Sequence, residues 1–134
     1  MSDPCAIDVW LAAARAGLDR VLPSDLALEV AAGGLLIDIR PLEQRQRDGE
    51  LTGSIPIDRN VLEWRLDVSC AFHIPEVTSP NQRIILVCNE GYSSSLAAAT
   101  LRQLGMARAT DLVGGFQALL RTPDQVSGGE ARPT

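Results

Sequence analysis

Histidine and cysteine are scarce in this chain: one His and three Cys stand among 134 residues. His73 alone assembles no zinc-like ligand set, and it lies in a Pro/Ser/Thr-rich stretch that reads as a surface loop, so no metal is expected. Cys5, Cys70 and Cys88 form no CxxC pair, and an odd number excludes a fully paired internal framework. That usage fits a reducing compartment, and a cytoplasmic location is expected. No apolar run reaches the roughly 18 residues of a spanning helix. The opening MSDPCAIDVW lacks a basic n-region, which argues against a secretory signal. Positive charge is also short. Lys and Arg number 12 against 17 Asp and Glu, for a net charge of −5 and a pI near 4.7. This balance argues against nucleic acid as the main partner and against an anionic membrane surface. Neither an internal repeat nor a low-complexity block interrupts the chain.

What is present suits one α/β domain. A chain of this length buries about two thirds of its unfolded surface, enough for a core. Residues 7–20 carry an amphipathic helical pattern, with Asp3 and Pro4 before it as start signals. A second short helix, capped by Ser24 or Asp25, is predicted to end at Gly33 and Gly34. LLIDIR (35–40) is a strand, and the charged stretch after it has room for a short helix. GSIPID (53–58) is a short strand, and Asn60 caps a helix over 60–67. Residues 68–82 read as loop. IILV (84–87) is an apolar strand, 93–104 has helical spacing with Gly105 as a stop, and ATDLVGG holds another strand. GFQALLR (115–121) closes as a helix. Strands alternating with helices imply a central parallel sheet covered on both faces. The expected organisation is a helical segment over 1–34 packed on a core of 35–121, followed by a flexible tail over 122–134.

The stretch from Arg83 to Gly105 carries the chemistry. Cys88 falls where a strand ends and a helix is about to begin. The first N–H groups of a helix have no partner inside it and point forward, with the helix dipole behind them. A thiol at that address is expected to ionise more readily than a free cysteine, and the thiolate is the nucleophile. Gly91 permits the positive φ that a tight cradle of amides requires. Ser93, Ser94 and Ser95 supply hydroxyls suited to capping the first turn. A buried core thiol is the competing reading, but the glycine and serines that follow weigh against it. Ligands in such folds bind beyond the carboxyl ends of strands, where Arg40 and Arg59 also fall.

Taken in order, LLIDIR, GELTGSIPIDRN, IILVCNEGYSS and DLVGGFQAL resemble the rhodanese-like family over residues 35–120. The second element is similar to the family's GHIPGAIHIPRN-type segment, the third to its C-x-x-G-x-[RST]-[ST] loop, and the fourth to its V-x-GG-x-x-x-W motif. The resemblance implies a small α/β domain and sulfur transfer through a persulfide on Cys88. In that reading the amides of Asn89, Glu90, Gly91, Tyr92 and Ser93 surround the sulfur, and Ser93 or Ser94 adds a hydroxyl bond. Arg59 is a candidate substrate contact. The implied partners are a small sulfur donor, thiosulfate or a persulfide, and a thiol or cyanide-like acceptor, small or carried on a protein. No cofactor is implied.

Some positions depart from the family pattern. Glu90 puts negative charge into a loop that holds no Lys or Arg, which opposes the thiolate and repels dianionic thiosulfate. Arg59 offsets that charge only if it reaches the pocket; a surface ion pair is the alternative. Glu50 and Thr52 replace the family's His and Pro, and Leu119 its Trp. Asp38 and Arg40 match the family's D-x-R pair and read as a structural network beside the site. Trp10 and Trp64 are expected in the core or lining a groove, and Tyr92 at the pocket rim. Related phosphatases and arsenate reductases carry C-x5-R, but Ser94 stands at the arginine position, so an oxyanion would lack its bidentate clamp. A non-catalytic interaction module and a redox sensor at Cys88 remain the alternatives to sulfur transfer.

Overall fold

The computed structural model describes residues 3–122, so the tail expected to be flexible lies, from 123 on, outside the described residues. In chain order the elements are α1 (Ala6–Ala16), a 3-10 turn (Pro23–Asp25), α2 (Leu26–Ala31), β1 (Leu35–Asp38), α3 (Leu42–Asp48) and β2 (Ile55–Pro56). There follow a second 3-10 turn (Arg59–Val61), α4 (Leu62–Leu66), β3 (Ile84–Val87), α5 (Ser93–Gln103), β4 (Ala109–Asp111) and α6 (Gly115–Leu120). All strand pairings are parallel and the order is β2-β1-β3-β4. The order reverses between β1 and β3, where Asp38 stands beside Val87. A crevice opens at the carboxyl ends of strands at such a switch point, and Cys88 is the next residue along.

The four apolar residues of β3 are all buried and divide by alternation. Ile84 and Leu86, with Cys88 in the same register, pack with Leu62 and Leu66 of α4 and Ala97, Ala98 and Leu101 of α5. Ile85 and Val87 pack on the opposite face with Leu26 of α2 and Phe116 and Leu119 of α6. Helices thus cover both faces, and α1 packs outside α5 as a further layer.

Several boundaries differ from the sequence reading. The first helix stops at Ala16, with Gly17 as its C-cap, four residues short of the expected end. Its continuation is captured by the sheet: Val21 pairs in parallel with Leu112, donating to the Asp111 carbonyl at 2.9 Å and accepting from the Val113 amide at 2.9 Å. Strand β1 ends at Asp38 and β2 spans only two residues, one of them Pro56, which has no N–H for the ladder. Asp58, not Asn60, caps the turn after β2; its carboxylate accepts from the Asn60 amide at 2.8 Å. Ser24 and Asp25 make no side-chain cap, and neither do the serines of α5. Trp64 is 56% exposed rather than in the core, because α4 turns Leu62 and Leu66 inward instead.

The link from α1 to the sheet is tied down by charge. Arg83 pairs with Asp19 at 3.0 Å and Glu29 at 3.0 Å, and Arg102 reaches Asp19 at 2.7 Å. Partial burial pushes the Asp19 carboxyl up, but the Arg83 hydrogen bond and the Arg83 and Arg102 charges outweigh it and hold it below the usual carboxylate range. A carboxyl lowered by folding stabilises the native state above its unfolded value and loses that contribution as pH falls below about 4. Asp19 is largely exposed, so solvent screening keeps the effect to about 0.5 kcal/mol. Asp19→Asn is expected to lower the thermal midpoint slightly at neutral pH and not at pH 3. Equal losses at both pH values would show that the pair contributes nothing through charge.

Candidate active site

Cys88 is 5% exposed and sits at the base of a pocket of about 310 Å³. One wall is the turn after β1, with Ile39, Arg40, Pro41 and Gln44. The other is the loop after β3, where Asn89, Glu90, Tyr92 and Ser93 join the cysteine. Two backbone N–H groups aim at the sulfur: Gly91 donates at 3.1 Å and Ser94 at 3.4 Å. The Cys88 thiol in turn donates to Ser94 Oγ at 3.2 Å. An anionic sulfur would keep both amide bonds, and bonds from N–H to a charged acceptor are the stronger kind. Of the five amides expected around the sulfur, Gly91 bonds to it; the second bond comes from Ser94, one residue beyond that set. Glu90, Tyr92 and Ser93 are exposed on the pocket lip.

The loop keeps this shape because the glycine pair that opens α6, Gly114 and Gly115, packs directly against its backbone. The Phe116 amide donates to the Cys88 carbonyl at 2.8 Å and the Gln117 amide to the Asn89 carbonyl at 3.0 Å. These are first-turn N–H groups of α6, which have no partner inside the helix. Gly115 has φ +63, and a Cβ there would lie 2.5 Å from the Cys88 carbonyl oxygen. A Cβ on Gly91 would lie 2.7 Å from the Gly114 nitrogen. The Gln117 side chain also bridges Asn89 Oδ1 and Asp48 Oδ2, both at 3.0 Å. The Arg47 hydrogen bond beside Asp48 holds that carboxyl below its usual range.

Asp38 and Arg40 form a closed network. The Arg40 side chain is fully buried, grips Asp38 through Nε and Nη2, and reaches the carbonyls of Gly49 at 2.8 Å and Gln44 at 3.5 Å. Its guanidinium lies 3.7 Å from the centre of the Phe116 ring. Arg40 therefore borders the pocket with Nε and Nη2 engaged and Nη1 held only by a long bond to Gln44, and it braces the wall rather than offering a bidentate clamp to an anion.

Arg59 does not line the pocket. It pairs with Glu63 at 2.9 Å, one helical turn on, and borders a groove of about 480 Å³ between α1 and α5 that Trp10 also lines. That groove is more spacious than the Cys88 pocket, but no cysteine lines it. Trp10 is thus a groove residue, and Tyr92 is a rim residue whose ring lies 5.5 Å from the Arg15 guanidinium.

The sequence reading passed over a cluster behind the loop. Arg15 and Arg20 both donate to the Gly91 carbonyl, at 2.6 and 3.0 Å. Asp111, fully buried at the end of β4, accepts from Arg20 at 2.8 and 3.1 Å and from the hydroxyls of Ser94 and Ser95 at 2.6 and 2.8 Å. The loop's own sequence has no cation, yet two guanidiniums from the N-terminal segment stand behind it. No local spacing announces them, since 71 to 91 residues separate the partners.

The family model for the Rhodanese-like domain matches residues 22–122. No curated protein matches the chain. Among solved structures, a Rhodopseudomonas palustris protein of unknown function, named a possible tyrosine phosphatase, aligns with a TM-score of 0.78 at 24% identity, over 91% of this chain and 96% of its own. The human single-domain sulfurtransferase aligns with a TM-score of 0.64 at 23% identity, over 76% of this chain and 95% of its own. A rhodanese homolog from Thermus thermophilus aligns with a TM-score of 0.53 at 28% identity, over 75% of this chain and 99% of its own. The first two likenesses establish the fold and leave the reaction open.

Two substitutions test the architecture. Gly115→Ala is expected to cost roughly 2–4 kcal/mol, because it strains φ and drives a methyl into the loop backbone. Arg40→Leu strips the buried Asp38 of its partner and is expected to cost about 3–5 kcal/mol. Urea denaturation measures both, and midpoints equal to wild type would contradict this account of the pocket wall.

Proposed function

This chain belongs to the rhodanese-like domain family, and from that premise we propose that it transfers sulfane sulfur by way of a persulfide on Cys88. The observation that carries the reading is the pair of N–H groups, from Gly91 and Ser94, directed at the sulfur in the base of an open pocket. In the first half-reaction Cys88 Sγ attacks the sulfane sulfur of the donor. A new S–S bond forms, the donor's bond to that sulfur breaks, and the remainder leaves with the electron pair. In the second, an acceptor thiolate attacks the outer sulfur and Cys88 leaves as thiolate, returning to the two amides. Such a cycle has ping-pong kinetics. Preorganised amides favour each state in which the inner sulfur carries charge.

The pocket lining points to the donor class. Glu90 stands at the lip, and Arg40 is engaged with Asp38. A dianion such as thiosulfate would meet a carboxylate and no uncommitted guanidinium among the lining residues. A persulfide donor, carrying less charge, is the better fit. The same lining disfavours phosphate-ester chemistry, since Ser94 occupies the position where a C-x5-R loop has its arginine. No second cysteine lines the pocket to resolve an oxidised Cys88, which weighs against disulfide-based redox sensing.

Intact-mass spectrometry decides the matter. After incubation with a cysteine-derived persulfide the chain is expected to gain the mass of one sulfur atom, a thiol acceptor to remove it, and Cys88→Ala to gain nothing. Thiosulfate is expected to load at least tenfold more slowly than the persulfide. A wild-type chain that takes sulfur from neither donor would end the proposal and favour a non-catalytic interaction module.

A further inference from the structure

The hydroxyl of Ser94 stands between two groups that both want its proton. It donates to Asp111 Oδ2 at 2.6 Å, while its oxygen accepts the thiol of Cys88 at 3.2 Å. Asp111 is fully buried and gripped through both oxygens by Arg20, which balances its charge in the interior and keeps it an acceptor. An ionised carboxylate is the stronger acceptor, so it takes the one hydroxyl proton. Ser94 then presents a lone pair to the sulfur. A lone pair favours the thiol, which can donate to it, over the thiolate, which cannot.

We propose that Asp111 is a positioning residue that restrains ionisation of Cys88 by committing the Ser94 hydroxyl, with Arg20 fixing the Asp111 carboxylate in place. The inference rests on Cys88 being the reactive thiol, and it reverses the role expected for Ser94 as a donor to the charged sulfur. Arg20 lies just ahead of the matched family region, at 22–122. Arg20 reaches Asp111 because Val21 pairs with Leu112 at the sheet edge. Asp111 and Ser94 lie within the matched region, and only their support, Arg20, comes from the segment ahead of it.

Other charged and polar groups stand around the Cys88 loop on the neighbouring elements. The β1 end brings the closed Asp38–Arg40 pair, and the loop itself brings Glu90 and Tyr92 on the lip. From the N-terminal segment Arg15 and Arg20 bear on the Gly91 carbonyl. Helix α6 offers backbone amides and Gln117, through which Asp48 of α3 is connected. Asp111 differs from these in bonding to the Ser94 hydroxyl, whose oxygen itself accepts from the sulfur, and it lies within about 6 Å.

The experiment is the pH profile of Cys88 alkylation by iodoacetamide in the full chain, read at the Cys88 peptide by mass spectrometry. Asp111→Asn replaces the charged acceptor with a weaker, neutral amide, freeing the Ser94 proton to turn to the sulfur, and is expected to move the midpoint to lower pH, raising the rate about tenfold on the acid side of the wild-type midpoint. Ser94→Ala is expected to move it to lower pH or leave it in place, since in wild type the hydroxyl gives no proton to the sulfur. A shift to higher pH in Ser94→Ala would show that Ser94 donates to the thiolate and would overturn the proposal. So would an unchanged or raised midpoint in folded Asp111→Asn. Because alkylation needs no sulfur donor, these outcomes are independent of whether Cys88 loads sulfur, and each proposal can fail alone.

Discussion

Two hydrogen bonds from the first turn of α6 to the carbonyls of Cys88 and Asn89 hold the loop on which the rest of the site depends. They solve two problems together. The early N–H groups of α6 need acceptors, and the carbonyls of a loop in a packed interior need donors. Once these carbonyls are turned toward α6, other amides of the loop are left to face the sulfur. The approach is close enough that only glycine fits at 115, where a side chain would collide with main-chain atoms rather than with something that could move. The GG motif is thus part of the reactive loop's scaffold although it follows it by more than twenty residues.

Around this scaffold stand two ion pairs at the ends of the strands that flank β3, one fully and one partly buried. Asp38–Arg40 braces the wall at β1, and Asp111–Arg20 stands behind the loop at β4. Removing charges from water is costly, and such pairs persist where every donor and acceptor is met. Arg40 is met by a carboxylate, two carbonyls and the face of Phe116. Asp111 is met by a guanidinium and two hydroxyls. In neither pair is the guanidinium directed at the pocket as an uncommitted cation.

The N-terminal segment matters more than a helix packed on the outside would suggest. Its polypeptide leaves α1 at Gly17, enters the sheet edge at Val21, and on the way delivers Arg20 to Asp111, with Arg15 arriving from the helix itself. Both guanidiniums meet the Gly91 carbonyl. In a trans peptide the carbonyl and the next N–H point in opposite directions, so holding the Gly91 oxygen outward turns the Tyr92 N–H away from the arginines. The segment thereby constrains the loop through its backbone as well as through charge.

The sequence by itself determined the sheet order's raw material, the strand-to-helix address of Cys88, the need for glycine at 91 and the brace at Asp38 and Arg40. Those features are local: apolar runs, turn residues and short motifs act on neighbours within a few positions, and their physics is written in adjacent letters. Boundaries were legible only where a local signal ended an element, as Gly105 does. They slipped where a distant partner captured the chain, as the sheet edge does at Val21. Tertiary structure alone decided that Arg59 turns to Glu63, that Trp64 faces outward, and that the serines of α5 serve Asp111 rather than their own helix end. It also decided that Arg15, Arg20 and Asp111 belong to the site. The arginine contacts depend on groups that meet across 70 or more residues, and the others on which of several nearby partners a side chain takes or which face a helix turns inward; the alternatives a polar side chain has locally are close in energy until burial removes water as a competitor.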